Sequence, residues 1–151
     1  MKKFVLGICA CLVVVGAAFG LVAVNAGVPA DLKLHGYDPV SYFEADAPAE
    51  GSSAHAAVHG GATYYFASAE NRATFLADPE RFAPEYDGYC SYGVSLGQKF
   101  DIDPLAYRIV EGRLFVQLDH GTRDVWMQAE AENIQRADQN WPALKPLDAK
   151  S

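Results

Sequence analysis

The chain opens with one long apolar run, Phe4 to Val24, and then breaks into short segments whose patterning changes from one to the next. "TYYFAS" (63–68) is β-branched and aromatic and predicts a strand. Ser68 then supplies a hydroxyl for the first turn of a helix, with Glu70 near the positive end of the helix dipole. "AENRATFLA" continues that helix, Phe75 and Leu76 give it an apolar side, and Asp78-Pro79 stops it. A short turn through "PERFAPEY" leads into "GYCSYGV" (88–94). Farther on, "YRIV" (107–110) and "RLFVQL" (113–118) flank Glu111-Gly112, the signature of a tight hairpin. Thr122 can cap a last helix from about Arg123 to Gln139. Val125, Trp126, Ala129 and Ile134 form its stripe, Glu130 interrupts it, and Trp141-Pro142 ends it.

The region between leader and first strand is less regular. "LHGYDPVSYF" (34–43) contains Asp38-Pro39, which biases Asp38 away from helix, so an extended segment and a short helical turn both fit. "EADAPAEGSSAHAAVHGGA" (44–62) is small, polar and Gly-rich, and reads as a loop with room for a strand in its latter half. These elements predict a small single α+β domain: a short antiparallel sheet with two to three packed helices. No internal repeat, second domain or long linker is evident.

Met1, Lys2 and Lys3 before the apolar run, and small residues around Ala26, give the run the form of a secretory signal peptide covering residues 1–26. Its length also suits an uncleaved N-terminal membrane anchor. Residues 27–33 read as a tether, 34–144 as the domain and 145–151 as a loose tail. Cleavage leaves ten basic and nineteen acidic side chains, a balance that offers nucleic acid no electrostatic partner. The cleaved product is periplasmic or secreted, with no membrane insertion. Cleavage also removes Cys9 and Cys11, so Cys90 has no intramolecular disulfide partner.

"GYDPVSYF", "ATYYFASAENRATFLADPERFAPEYDGYCSYGVSLG" and "NWPAL" together resemble the exported YHS-domain proteins of bacteria over Leu34 to Leu144. The resemblance implies a small domain of a family related to the TRASH metal-binding modules, whose members stand beside or fused to metal transporters and bind metal through cysteines. A metal transporter or a metalloprotein is the partner it implies. Those cysteines follow Asp-Pro-Val and the Tyr-Phe strand, with another in the helix. Here Ser41, Ala67 and Asn71 occupy the three positions, and none supplies a soft anionic sulfur.

What survives is Cys90, with His59 just before the strand and His35 beside Gly36-Tyr37. A thiolate beside imidazoles suits copper first and zinc second, so the expected metal site is Cys90, His59 and His35. The expected function is a non-enzymatic exported metal-binding domain in periplasmic metal handling or delivery. Its rival is a structural or interaction module that keeps the YHS fold without metal, in which Cys90 is a small buried hydrophobe. A reactive-thiol enzyme is the third reading. His55 and His120 read as solvent-facing loop residues, and seven tyrosines between Tyr37 and Tyr92 read as core with hydroxyls toward the surface. No P-loop, G-x-S-x-G elbow, G-x-G-x-x-G fingerprint or H-E-x-x-H helix is present.

Overall fold

A computed structural model describes residues 29–44 and 47–147; the expected signal peptide lies outside the described residues. Two hairpins carry the fold. β1 (Ser52–His59) pairs antiparallel with β2 (Ala62–Phe66), and β3 (Asp103–Val110) with β4 (Arg113–Gln117). The α-helices are α1 (Ser41–Glu44), α2 (Ala69–Ala77), α3 (Pro79–Phe82), α4 (Ser91–Ser95), α5 (His120–Met127) and α6 (Glu130–Leu144). 3₁₀ turns at Lys33–Gly36 and Glu85–Gly88 precede α1 and α4. The α+β class stands, but the sheet is two separate two-stranded ribbons rather than one. Among the described residues no helix is long and apolar enough to cross a membrane.

Several boundaries differ from the sequence reading. Asp119, not Thr122, caps the first C-terminal helix, its carboxylate accepting the Thr122 N–H at 2.7 Å. The break near Glu130 separates two helices, and the second runs through Pro142 to Leu144. Residues 31–33 are no tether, because Leu32 bridges Thr63 and the Asp31 carbonyl accepts the Thr63 N–H at 3.2 Å. Lys145 and Leu147 are held too, their carbonyls accepting from the Lys99 ammonium.

The chain is built twice over, contrary to the expectation of no repeat. Leu34, His35 and Gly36 have φ of 53°, 50° and 87°; Tyr86, Asp87 and Gly88 have 54°, 53° and 79°. Such left-handed backbone is costly for Leu and Tyr, so its recurrence marks a feature that each half enforces. Each triplet leads through an extended tyrosine, Tyr37 or Tyr89, into a short helix. Each hairpin slips register at the same place, Ser52 opposite Phe66 then Ala56 opposite Tyr65, and Asp103 opposite Gln117 then Tyr107 opposite Val116. These pairs lie 51 residues apart, as do the helix caps Ser68 and Asp119 and the buried aromatics Phe75 and Trp126.

Three apolar cores follow from this plan. Val40, Tyr64, Phe66, Phe75 and Phe82 fill the first half. Tyr86, Val94, Phe115, Trp126 and Ala137 fill the second, roofed by α6. Leu34 and Tyr42 from the first half meet Cys90, Ile102, Leu114 and Val116 from the second, which joins the halves into one domain. Burying each large side chain contributes about 1.5–3 kcal/mol, so this shared core is a large part of what holds the halves together.

Candidate functional site: two equivalent junctions and a cleft

In each half one buried residue stands where the loop becomes a helix, and it faces the end of the hairpin. In the first half it is Asp38, fully buried. Its Oδ1 accepts the Val40 N–H at 2.9 Å, while its Oδ2 accepts the Ala67 N–H at 3.0 Å and the Asn71 Nδ2 at 2.6 Å. Its carbonyl accepts the Ser41 hydroxyl at 2.7 Å. Ser41, Ala67 and Asn71 are the positions at which the resemblance places cysteines. All three converge on Asp38, and their bonds to it are made by nitrogen and oxygen donors that offer no site for a soft metal.

The equivalent residue of the second half is Cys90, 1% exposed. Its sulfur accepts the Gly93 N–H at 3.5 Å, as an N-cap of α4, and donates to Gln117 Oε1 at 3.5 Å. Burial pushes the thiol above its ordinary pKa, opposed in part by the backbone N–H groups of Gly93, Leu118 and Tyr92. It is therefore held as a thiol, the form that neither ligates metal well nor attacks as a nucleophile. Gln117, fully buried, also accepts the Tyr92 N–H at 3.0 Å. Sequence reasoning missed both Asp38 and Gln117.

The other expected ligands are engaged elsewhere. His35 Nε2 meets Asp101 at 2.7 Å and His59 Nε2 meets Glu80 at 3.0 Å. Among the described residues no group of three or more His, Cys, Asp and Glu side chains is arranged to hold a metal ion. The set Cys90, His59 and His35 is thus not gathered into a site, because each belongs to a different local hydrogen-bond arrangement. His120 is exposed and His55 half-buried. Tyr42, Tyr64 and Tyr86 are core residues, and burial pushes the Tyr64 phenol up to about 12.

A cleft of about 370 Å³ opens between the halves. The β1–β2 turn at Gly60-Gly61 and the His59–Glu80 pair form one wall, and Asp87, Trp141 and Lys145 belong to the other, with Asp31 and Lys33 on the rim. Behind it the buried Lys99 ammonium lies 4.8 Å from the Tyr89 ring centre and 5.5 Å from that of Trp141. The cleft thus offers both signs of charge and aromatic surface, the chemistry of a polar binding surface rather than a closed reaction chamber. No protein-family model, curated protein or solved structure matches the chain.

Proposed function

We propose that this chain is a non-catalytic interaction module, built on a YHS-like fold, in which the metal-ligand positions have become hydrogen-bonded structural caps. The observation that carries the reading is the equivalence of Cys90 and Asp38. The thiol occupies the place where the other half keeps a capping carboxylate, and its contacts are those of a cap. The converging bonds of Ser41, Ala67 and Asn71 on Asp38 support it from the other half. The module acts in the periplasm or outside the cell, delivered by its N-terminal run, and presents the polar cleft between its halves to a partner.

The rival is metal handling through Cys90, with copper as the favoured ion. A metal there must displace the Gly93, Leu118 and Gln117 contacts of the sulfur and recruit a second ligand to a site from which solvent is excluded. Titrating the purified chain with Cu(I) and Zn(II), with Cys9→Ser and Cys11→Ser in place, separates the two. The module reading expects no stoichiometric binding that depends on Cys90. One equivalent of metal, lost in Cys90→Ser, overturns it and restores the copper reading.

A further inference from the structure

The repeat shows which features of the cleft the fold itself does not need. Tyr64 occupies the place that Phe115 holds in the second half, and its ring packs on Phe75 at 4.8 Å as that of Phe115 packs on Trp126 at 5.5 Å. Only the phenol oxygen distinguishes the two. Tyr64 is 5% exposed and lines the cleft, so with its ring in the core it reaches the cleft by the hydroxyl. Tyr42 and Tyr86 donate to the Pro104 carbonyl and the Asp138 carboxylate, whereas the Tyr64 hydroxyl has no hydrogen-bond partner among the described residues. Burial, and then the Asp87 and Glu80 carboxylates that line the same cleft, oppose ionisation of this phenol, so it stays neutral beside two anions. The lip differs between the halves as well. Gly60-Gly61 turns the first hairpin where Glu111-Gly112 turns the second, and a Cβ at either Gly60 or Gly61 would meet nothing within 4 Å.

We propose that the cleft receives a lysine side chain of a partner protein, its ammonium seated among the Tyr64 hydroxyl, the Asp87 carboxylate and the Glu80 carboxylate. Three acceptors carried on β2, the second 3₁₀ turn and α3 suit the three N–H groups of an ammonium, whereas a guanidinium spreads five donors in one plane. Glu80 keeps His59 on Oε1 at 3.0 Å and has Oε2 to offer. The apolar stem of the lysine packs along Trp141 on the facing wall. At the lip, Gly60-Gly61 carries no side chain to hold the partner's backbone away. The formal charge of −7 draws a cationic partner toward the chain. Lys33 and Lys145 also line the cleft, and they oppose a free diamine, whose second ammonium they would repel; a lysine within a protein brings a neutral backbone instead.

The proposal rests on the reading of the chain as an interaction module and names what its cleft recognises. Its test titrates the full chain with the peptide acetyl-Gly-Gly-Lys-Gly-Gly-amide at low salt and follows the backbone amide resonances. Saturable shifts are expected at Gly60, Gly61, Tyr64 and Asp87, with a dissociation constant of roughly 1 mM or below, and they are expected to vanish when norleucine replaces the lysine. Asp87→Asn is expected to weaken binding about tenfold and Tyr64→Phe about threefold. Both variants keep the fold, because asparagine tolerates the left-handed backbone of Asp87 at φ 53° and Phe115 packs as a ring without a hydroxyl. Each of these results overturns the proposal: no saturable shift at the cleft, equal binding of the norleucine peptide, tighter binding of an arginine peptide or of cadaverine, or unweakened binding in Asp87→Asn. Metal binding that depends on Cys90 would remove the module reading itself. A cleft indifferent to the lysine peptide, without such metal binding, removes this proposal alone.

Discussion

Asp38→Asn is the most direct probe of the junction design, since it changes one oxygen to an amino group and almost nothing in volume. The amide oxygen retains the Val40 N–H, but the new NH₂ faces the Ala67 N–H and the Asn71 Nδ2, which now stand 3.0 Å and 2.6 Å from an acceptor. Two hydrogen bonds to a charged acceptor become donor–donor contacts in a fully buried site. At about 1.5–3 kcal/mol per bond, with relaxation recovering part, the expected loss is about 3 kcal/mol. Urea unfolding of the full chain, followed by circular dichroism and by Trp126 and Trp141 fluorescence, measures it. Both tryptophans sit in the second half, so coincident curves also test whether the halves unfold as one unit. Adding Asn71→Asp restores one donor–acceptor pair with its polarity reversed and is expected to recover about 1 kcal/mol. A loss below about 1 kcal/mol for Asp38→Asn refutes the idea that the carboxylate organises the junction.

Two further predictions concern the frame around the junctions. The Arg113 hydrogen bond at 2.8 Å holds the Asp138 carboxyl below the ordinary carboxylate value, against partial burial and with help from the Tyr86 hydroxyl. A lowered folded pKa stabilises above the unfolded value near 4, and that contribution fades as pH falls through the folded one. Arg113→Met, which keeps an apolar stem over Phe115, is therefore expected to cost about 1 kcal/mol or less at pH 7 and to flatten the stability loss below pH ~4, by urea unfolding at each pH. An unchanged acid limb refutes this. Gly51→Ala places a Cβ 2.5 Å from the Tyr65 carbonyl carbon and 2.7 Å from the Gly36 oxygen, both backbone, so a loss of about 2–3 kcal/mol is expected, and an unchanged thermal midpoint refutes the close approach.

The local signals were legible wherever one residue type decides the conformation. Ser68 accepts the Asn71 N–H as a cap should, and Glu111-Gly112 turns the second hairpin. Where two residues satisfy the same rule, packing chose: Asp119 caps α5 because it stands in the register that Ser68 holds in the first half, and Thr122 becomes the donor. Pro142 continues α6 although it removes one helical N–H, because Trp141 beside it packs on Tyr86 and Tyr89. The repeat stayed hidden because the halves share size more than identity: Phe75 answers Trp126 and Tyr64 answers Phe115, with Arg72 and Arg123 among the few identities. Nothing in Leu34 or Tyr86 as residue types announces positive φ. Cys90 was visible as a lone thiol, but its partner Gln117 is 27 residues away on a strand of apolar pattern, and Asp38 reads as half of an Asp-Pro turn.

The duplication gives the lone cysteine a physical explanation. At each junction the first helical N–H groups need an acceptor, and that acceptor can come from the loop or from the facing strand. In the first half the loop supplies it: Asp38 takes the Val40 N–H, and the strand residue opposite is Phe66, fully buried and apolar. In the second half the strand supplies it: Gln117, the counterpart of Phe66, takes the equivalent Tyr92 N–H. The loop position is then free to hold something small and weakly polar, and Cys90 fills it. Each half thus buries one strong side-chain acceptor at this place, from opposite sides of the same gap. Two would crowd polar groups into a space with donors for one, and none would orphan an N–H at a cost of about 1–3 kcal/mol. Sulfur is thus present at the junction where it has no second ligand, and absent from Ser41, Ala67 and Asn71 at the junction where the resemblance calls for metal. That distribution supports the proposed interaction module, and it is the reverse of what a thiolate metal centre requires.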